Sequence, residues 1–201
     1  MKHYIFPAMV CLVLIFSACS QSDDFRLSSS IFIHDDAHPG LPIYSEWGYN
    51  TFGAYFDRTP FVSDNYLMPV KVTVKPDTCQ IAFTGKLQSK NEEATLTFHL
   101  LNYQPNNFFD LLSLDKKTFS LVDEEIIVTF LQDKKIDTLN VMEGELSVKR
   151  AQKLLVDKEE KKVVLSGTFS MKAAIGNEPV SINNGRFDVS VDNINFFKGK
   201  N

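Results

Sequence analysis

The chain has 201 residues, 44% of them apolar and 12% aromatic, and a formal charge of −4. That length suits one domain with a core of its own. The acidic balance excludes a nucleic-acid-binding face, which needs clustered Lys and Arg, and gives no basis for electrostatic adhesion to anionic lipid.

The first 18 residues have the build of a secretory signal: Lys2, an apolar run over residues 5–16, then small Ser17 and Ala18 before Cys19. The run is shorter than the roughly 20 apolar residues of a transmembrane helix. Polar Ser20-Gln21-Ser22-Asp23-Asp24 follows at once, so the segment reads as one that directs export and is removed. Its loss takes Lys2 and no acid, leaving the exported chain one unit more negative. Phe16-Ser17-Ala18-Cys19 resembles the bacterial lipobox, with Phe16 where an aliphatic residue is usual. That resemblance implies palmitate-type acyl chains on Cys19 and a membrane as partner. Each buried CH₂ contributes about 0.8 kcal/mol and stable anchoring takes more than one chain, which a processed lipoprotein cysteine supplies. Ser22-Asp23-Asp24-Phe25 resembles the surface-export signal of Bacteroidota lipoproteins and implies an outer-membrane, cell-surface location.

Residues 19–42 read as the lipidated N-terminus and a tether, with Ile31-Phe32-Ile33 as at most one short edge strand. His34-Asp35-Asp36-Ala37-His38 offers imidazoles and carboxylates of metal-ligand type. It precedes the expected sheet and runs into Pro39-Gly40, and ordering such a loop around an ion costs entropy. The segment is therefore expected to be a solvated linker, with no metal and no cofactor.

Residues 43–201 read as one β domain. Trp47 to Phe56 is rich in aromatic and small residues, Asp57-Arg58-Thr59-Pro60 supplies a tight turn, and Phe61-Val62 resumes the apolar run, the form of a hairpin. Val70, Val72 and Val74 alternate with Lys71, Thr73 and Lys75, and Pro76-Asp77 turns the chain before Ile81 and Phe83. Ala94, Leu96, Phe98 and Leu100 share one face of a strand, with Thr95, Thr97 and His99 on the other. That strict period of two predicts a half-buried antiparallel strand. Phe108-Phe109-Asp110-Leu111-Leu112-Ser113-Leu114 predicts one or two helical turns. Further strands are expected at 119–121, 126–130 and 145–148. A long hairpin follows, formed by 154–156 and 163–171 around the charged connection 157–162, with Leu165, Gly167, Phe169 and Met171 on one face. Asn183-Asn184-Gly185 predicts a turn before a last strand, 185–191, with Phe187, Val189 and Val191 inward. About ten short strands make the class all-β: a single antiparallel β-sandwich or barrel-like domain, with a lipocalin-like barrel as the alternative.

Glu46-Trp47-Gly48-Tyr49-Asn50-Thr51-Phe52-Gly53-Ala54-Tyr55-Phe56-Asp57 with Pro60-Phe61 resembles the opening of a group of uncharacterised Bacteroidota surface lipoproteins. Ile182-Asn183-Asn184-Gly185-Arg186-Phe187-Asp188 resembles their closing strand. The resemblance implies a β domain behind a lipidated cysteine and no particular activity.

No catalytic set stands out. Cys11 leaves with the signal and Cys19 takes the lipid, so Cys79 has no partner for an intramolecular disulfide, and its alternation with Ile81 and Phe83 makes it a buried small hydrophobe. A nucleophilic pair with His99 is the reactive alternative. Asp123-Glu124-Glu125 and Glu159-Glu160 flank turns, whereas paired acid–base chemistry needs carboxylates facing each other about 5–9 Å apart. The aromatic run Trp47, Tyr49, Phe52, Tyr55 and Phe56 is expected chiefly to fill the core, with Trp47 and Tyr49 partly exposed near the strand start as the candidates to meet a ligand, since aromatic faces stack on sugar C–H surfaces. The expected function is a non-catalytic binding or envelope-interaction module with a glycan or envelope protein as partner. A lipocalin-like carrier of a small apolar or glycan ligand is the alternative, and an envelope enzyme the third reading.

Overall fold

The alternation in the middle of the chain becomes a ladder of hairpins. Strand β1 (Thr51–Phe56) turns through Asp57 and Arg58 into β2 (Thr59–Val62), and β3 (Val70–Lys75) turns through Pro76 and Asp77 into β4 (Thr78–Leu87). Asp57 (φ 45°) and Arg58 (φ 71°) both sit in the left-handed region, as a two-residue hairpin turn requires. β5 (Glu92–Leu101) buries Ala94, Leu96, Phe98 and Leu100 and leaves the intervening residues half-buried or exposed, as expected. A 3₁₀ helix (Phe108–Leu114) follows, capped by the Asn107 side chain, which accepts from the Phe109 N–H. Then come β6 (Thr118–Ser120), β7 (Ile126–Gln132), β8 (Lys135–Thr138), β9 (Asn140–Val156), β10 (Glu159–Ile175), β11 (Glu178–Val191) and β12 (Phe196–Lys198). This computed structural model describes residues 30–63, 68–156 and 159–199. The signal segment 1–18, Cys19 and Ser22-Asp23-Asp24-Phe25 lie outside the described residues.

The strands join one sheet in the order β6-β9-β10-β11-β1-β2-β4-β5-β7-β8. All these pairs are antiparallel, and β3 adds to β4 in the same sense; the exception is β12, which pairs parallel to β3. The path curls on itself. Phe98 on β5 and Phe169 on β10 are far apart in strand order, yet their ring centroids are 5.4 Å apart. Phe52 on β1 stacks on both Phe83 and Phe169, at 5.0 and 5.9 Å, and so joins the two walls. Because β6 and β8 end the path, the result is a curled half-barrel and not a closed one. Leu111 and Leu114 of the 3₁₀ helix are buried in the same core, and the helix packs against β9 and β10.

Four expectations need correction. Ile31-Phe32-Ile33 is not a strand; an isolated bridge pairs His34 with Pro42 instead. Residues 30–42, assigned by composition to the tether, are docked on the domain: Leu41 is fully buried and Pro42 packs over Gly53. Docking offsets the cost of ordering this polar stretch, because it covers a face of the sheet that would otherwise be wet. The charged run 157–162 is not a long connection, since β10 already begins at Glu159 and pairs it with Val156. Ladder hydrogen bonds use only the backbone, so a charged sequence does not by itself end a strand. Finally, Asn183-Asn184-Gly185 lies inside β11 and makes no turn. The registers with β1 and β10 both shift there, a bulge in which Asn184 takes φ 51°. A residue tolerant of left-handed backbone serves a bulge as well as a turn.

Candidate functional site

Gly185 to Val191 of β11 are buried at every position, so this strand is covered on both faces. Phe187, Val189 and Val191 point into the core as expected. The opposite face carries Arg186, Asp188 and Ser190, and segment 30–50 lies over it. Asp188 is buried, and its carboxylate accepts from the backbone N–H groups of Trp47, Gly48 and Tyr49 at 3.2, 2.9 and 2.9 Å. The Ser166 hydroxyl of β10 donates to it at 2.8 Å. Three successive N–H groups converging on one carboxylate form a nest of the kind that holds anions. Gly48 makes the wrap possible, for it has φ 77° and a Cβ there would meet Val164 and the Ser190 hydroxyl at 3.0 and 3.1 Å. Next along, Asn50 accepts from the Ser190 N–H at 2.8 Å.

At the other end of the segment the Arg186 guanidinium donates to Asp35, which also accepts from His38 at 2.8 Å. The hydrogen bond from His38, with the pair to Arg186 and the Ala37 N–H, holds the Asp35 carboxyl at about 2 against the opposing effect of desolvation. Of the four side chains read as a metal-like set, Asp35 and His38 are therefore engaged in a clasp to β11, in which Asp35 already serves two donors, while His34 and Asp36 are exposed.

This framework displays an aromatic side chain outward. The Trp47 backbone is pinned from beneath, while its side chain is 78% exposed. Tyr44 is also exposed, and its hydroxyl donates to Glu46 at 2.9 Å. Burial of the phenol, followed by the hydrogen bond to Glu46, raises the Tyr44 pKa above its ordinary value. Glu46 is fixed from β9, where Gln152 donates to its carbonyl at 2.6 Å and Arg150 to its carboxylate at 3.4 Å. Tyr49 is half-buried, and its carbonyl accepts from the Ile31 N–H at 2.8 Å. Of the two expected contact residues, Trp47 is thus presented and Tyr49 partly so.

The other candidates are placed apart. Cys79 is buried, and desolvation pushes its thiol up to about 12. His99 pairs across from Gln80 on the outer face of the sheet, where it contacts the Gln80 amide at 3.0 Å and the Thr129 hydroxyl at 2.8 Å. Cys79 and His99 occupy opposite faces, so they form no nucleophile–base pair. Burial lowers the His99 pKa, helped by Lys75. Asp123, Glu124 and Glu125 lie exposed in the turn before β7. The barrel interior is filled by Phe52, Phe61, Phe83, Phe98 and Phe169, all at most 2% exposed. Open grooves of about 550 and 540 Å³ lie outside that ring cluster, beside Phe32 and Lys86 and beside Tyr55 and Arg58.

Sequence reasoning missed Asp188 and Arg186, and it singled out Asp35 only as a metal-type ligand and not as the partner of Arg186. A charged residue alternating with Phe187 and Val189 has the pattern of a solvent face, and its partners lie 139 to 151 residues away. The chain matches no protein-family model, and no curated protein or solved structure is significantly similar to it. Fold and site together define an all-β half-barrel with a filled interior and a tryptophan presented on a braced loop.

Proposed function

We propose that the protein is a non-catalytic envelope-interaction module, carried on a lipid at Cys19 at the outer membrane and cell surface and working through the loop that bears Trp47. The resemblance to Bacteroidota surface lipoproteins implies the anchor and the location but no particular activity. The observation that carries it is Trp47 itself, 78% exposed above a backbone fixed by the Asp188 nest. A large apolar ring left in water is unfavourable unless something covers it, and a pre-ordered loop loses little entropy when that happens. Tyr44 and Tyr49 extend the contact surface, which suits a glycan, an envelope protein or the membrane itself. The ring-filled interior weighs against the lipocalin-like carrier, and the separation of Cys79 from His99 weighs against a thiol enzyme.

The test has two parts. Metabolic labelling with an alkyne palmitate should mark the full chain and leave Cys19→Ala unmarked; an unlabelled wild type would remove the anchor. Trp47 is the single tryptophan of the chain, so its emission reports on this loop alone. Titration with oligosaccharides, vesicles and envelope fractions should shift it in one case, and silence with all of them would sink the binding role.

A further inference from the structure

Eleven large apolar side chains are exposed among the described residues, and Ile31, Ile33, Tyr44 and Trp47 among them fall within one short stretch. Backbone bonds bring that stretch together: Ile31 N–H to the Tyr49 carbonyl, and Ile43 N–H to the Ile33 carbonyl, each at 2.8 Å. The described chain starts at Ser30, next to Ile31. Residues 20–29 separate it from Cys19. Ten residues span at most about 35 Å when extended, and about 18 Å on average as a free chain.

We infer that this face rests on the bilayer, with Trp47, Tyr44, Ile31 and Ile33 in the headgroup region beside the lipidated cysteine. The inference rests on the anchoring proposed above and names what the Trp47 loop contacts. Trp and Tyr favour the membrane interface, where an apolar ring and a polar edge are both accommodated. A link of only ten residues to a lipidated Cys19 would hold these side chains at high effective concentration against the surface, so individually weak insertions add to a lasting contact. The acidic balance makes the contact apolar, not electrostatic, so zwitterionic lipid is sufficient.

Palmitoylated full chain, reconstituted into phosphatidylcholine vesicles brominated high on the acyl chains, tests this. Trp47 emission should be blue-shifted and quenched about twofold relative to unbrominated vesicles, as expected for a ring at interfacial depth. In an Ile31→Asp, Ile33→Asp double variant with unchanged circular dichroism, the intensity ratio between unbrominated and brominated vesicles should fall from about 2 to about 1.3, because charge near the apolar boundary opposes insertion. Unquenched emission from labelled protein overturns the inference and leaves the anchor standing. Absence of palmitate on Cys19 overturns both. A shift produced by soluble oligosaccharide, with none from brominated lipid, overturns it in favour of a glycan.

Discussion

Asp188 is the residue on which the presented loop depends. Its carboxylate serves three backbone donors and a hydroxyl without exposure to water. Asp188→Asn would turn one acceptor oxygen into a donor facing those N–H groups. It should cost about 3 kcal/mol in chemical denaturation, the scale for buried bonds to a charged group. The same variant should lower the fluorescence anisotropy of Trp47, and an unchanged anisotropy would show that the loop is held by other contacts. Asp35 gives a second prediction. Its folded pKa of about 2 lies below the unfolded value near 4, so its clasp stabilises fully above about pH 4 and is lost as pH falls through 2. Melting temperatures of wild type and Asp35→Asn should differ most above pH 4 and converge toward pH 2. A gap that persists at pH 2 would mean that the charge is not what stabilises. Asp188 was not legible in sequence, because a strand charge reads as solvated until the distant segment that covers it is known; Asp35 stood out only as a metal-type ligand, since nothing local points to its partner Arg186. Trp47 was legible, since a large aromatic ahead of a strand start has no alternating partner to bury it.

At the scale of elements, local chemistry decided what could be read. The Asp57-Arg58 and Pro76-Asp77 turns and the alternation from Ala94 to Leu100 depend on neighbours only, and all three appear as expected. Asn183-Asn184-Gly185 has equally strong local chemistry but is overruled by pairing: β10 and β1 flank β11 through it, and the left-handed residue is absorbed as a bulge. β8 and β12 carry no clear alternation because they are short edge elements, and β12 exists by pairing with distant β3. The bulge predicts a contrast. A Cβ on Gly185 would lie 2.5 Å from the Phe169 ring, so Gly185→Ala should cost about 2 kcal/mol through overpacking. Asn184→Gly, at φ 51°, should stay within about 0.5 kcal/mol of wild type, since glycine accepts that backbone freely. Equal losses at the two positions would contradict this account of the bulge.

For the whole molecule, the curl is held by aromatic rings that reach across it. Phe52 contacts Phe61, Phe83 and Phe169 and is fully buried. Phe52→Ala should cost about 4 kcal/mol, within the range for emptying a core aromatic site. Because it links both walls, denaturation followed by far-ultraviolet circular dichroism and by Trp47 emission should shift together; separate transitions would mean that the walls fold independently. The double cover of β11 has a consequence for how the molecule is made. Synthesis delivers the segment bearing Asp35 and Trp47 before any of the sheet, yet its seat is β10 and β11, near the far end of the chain. β1 likewise waits for β11, with Thr51 paired to Asp188, and β3 waits for β12. Contacts of such sequence separation form slowly, after the entropy of closing the whole intervening chain has been overcome. Folding therefore completes only when the last strands have emerged, and the segment made before the sheet is among the last parts of the domain to find its place.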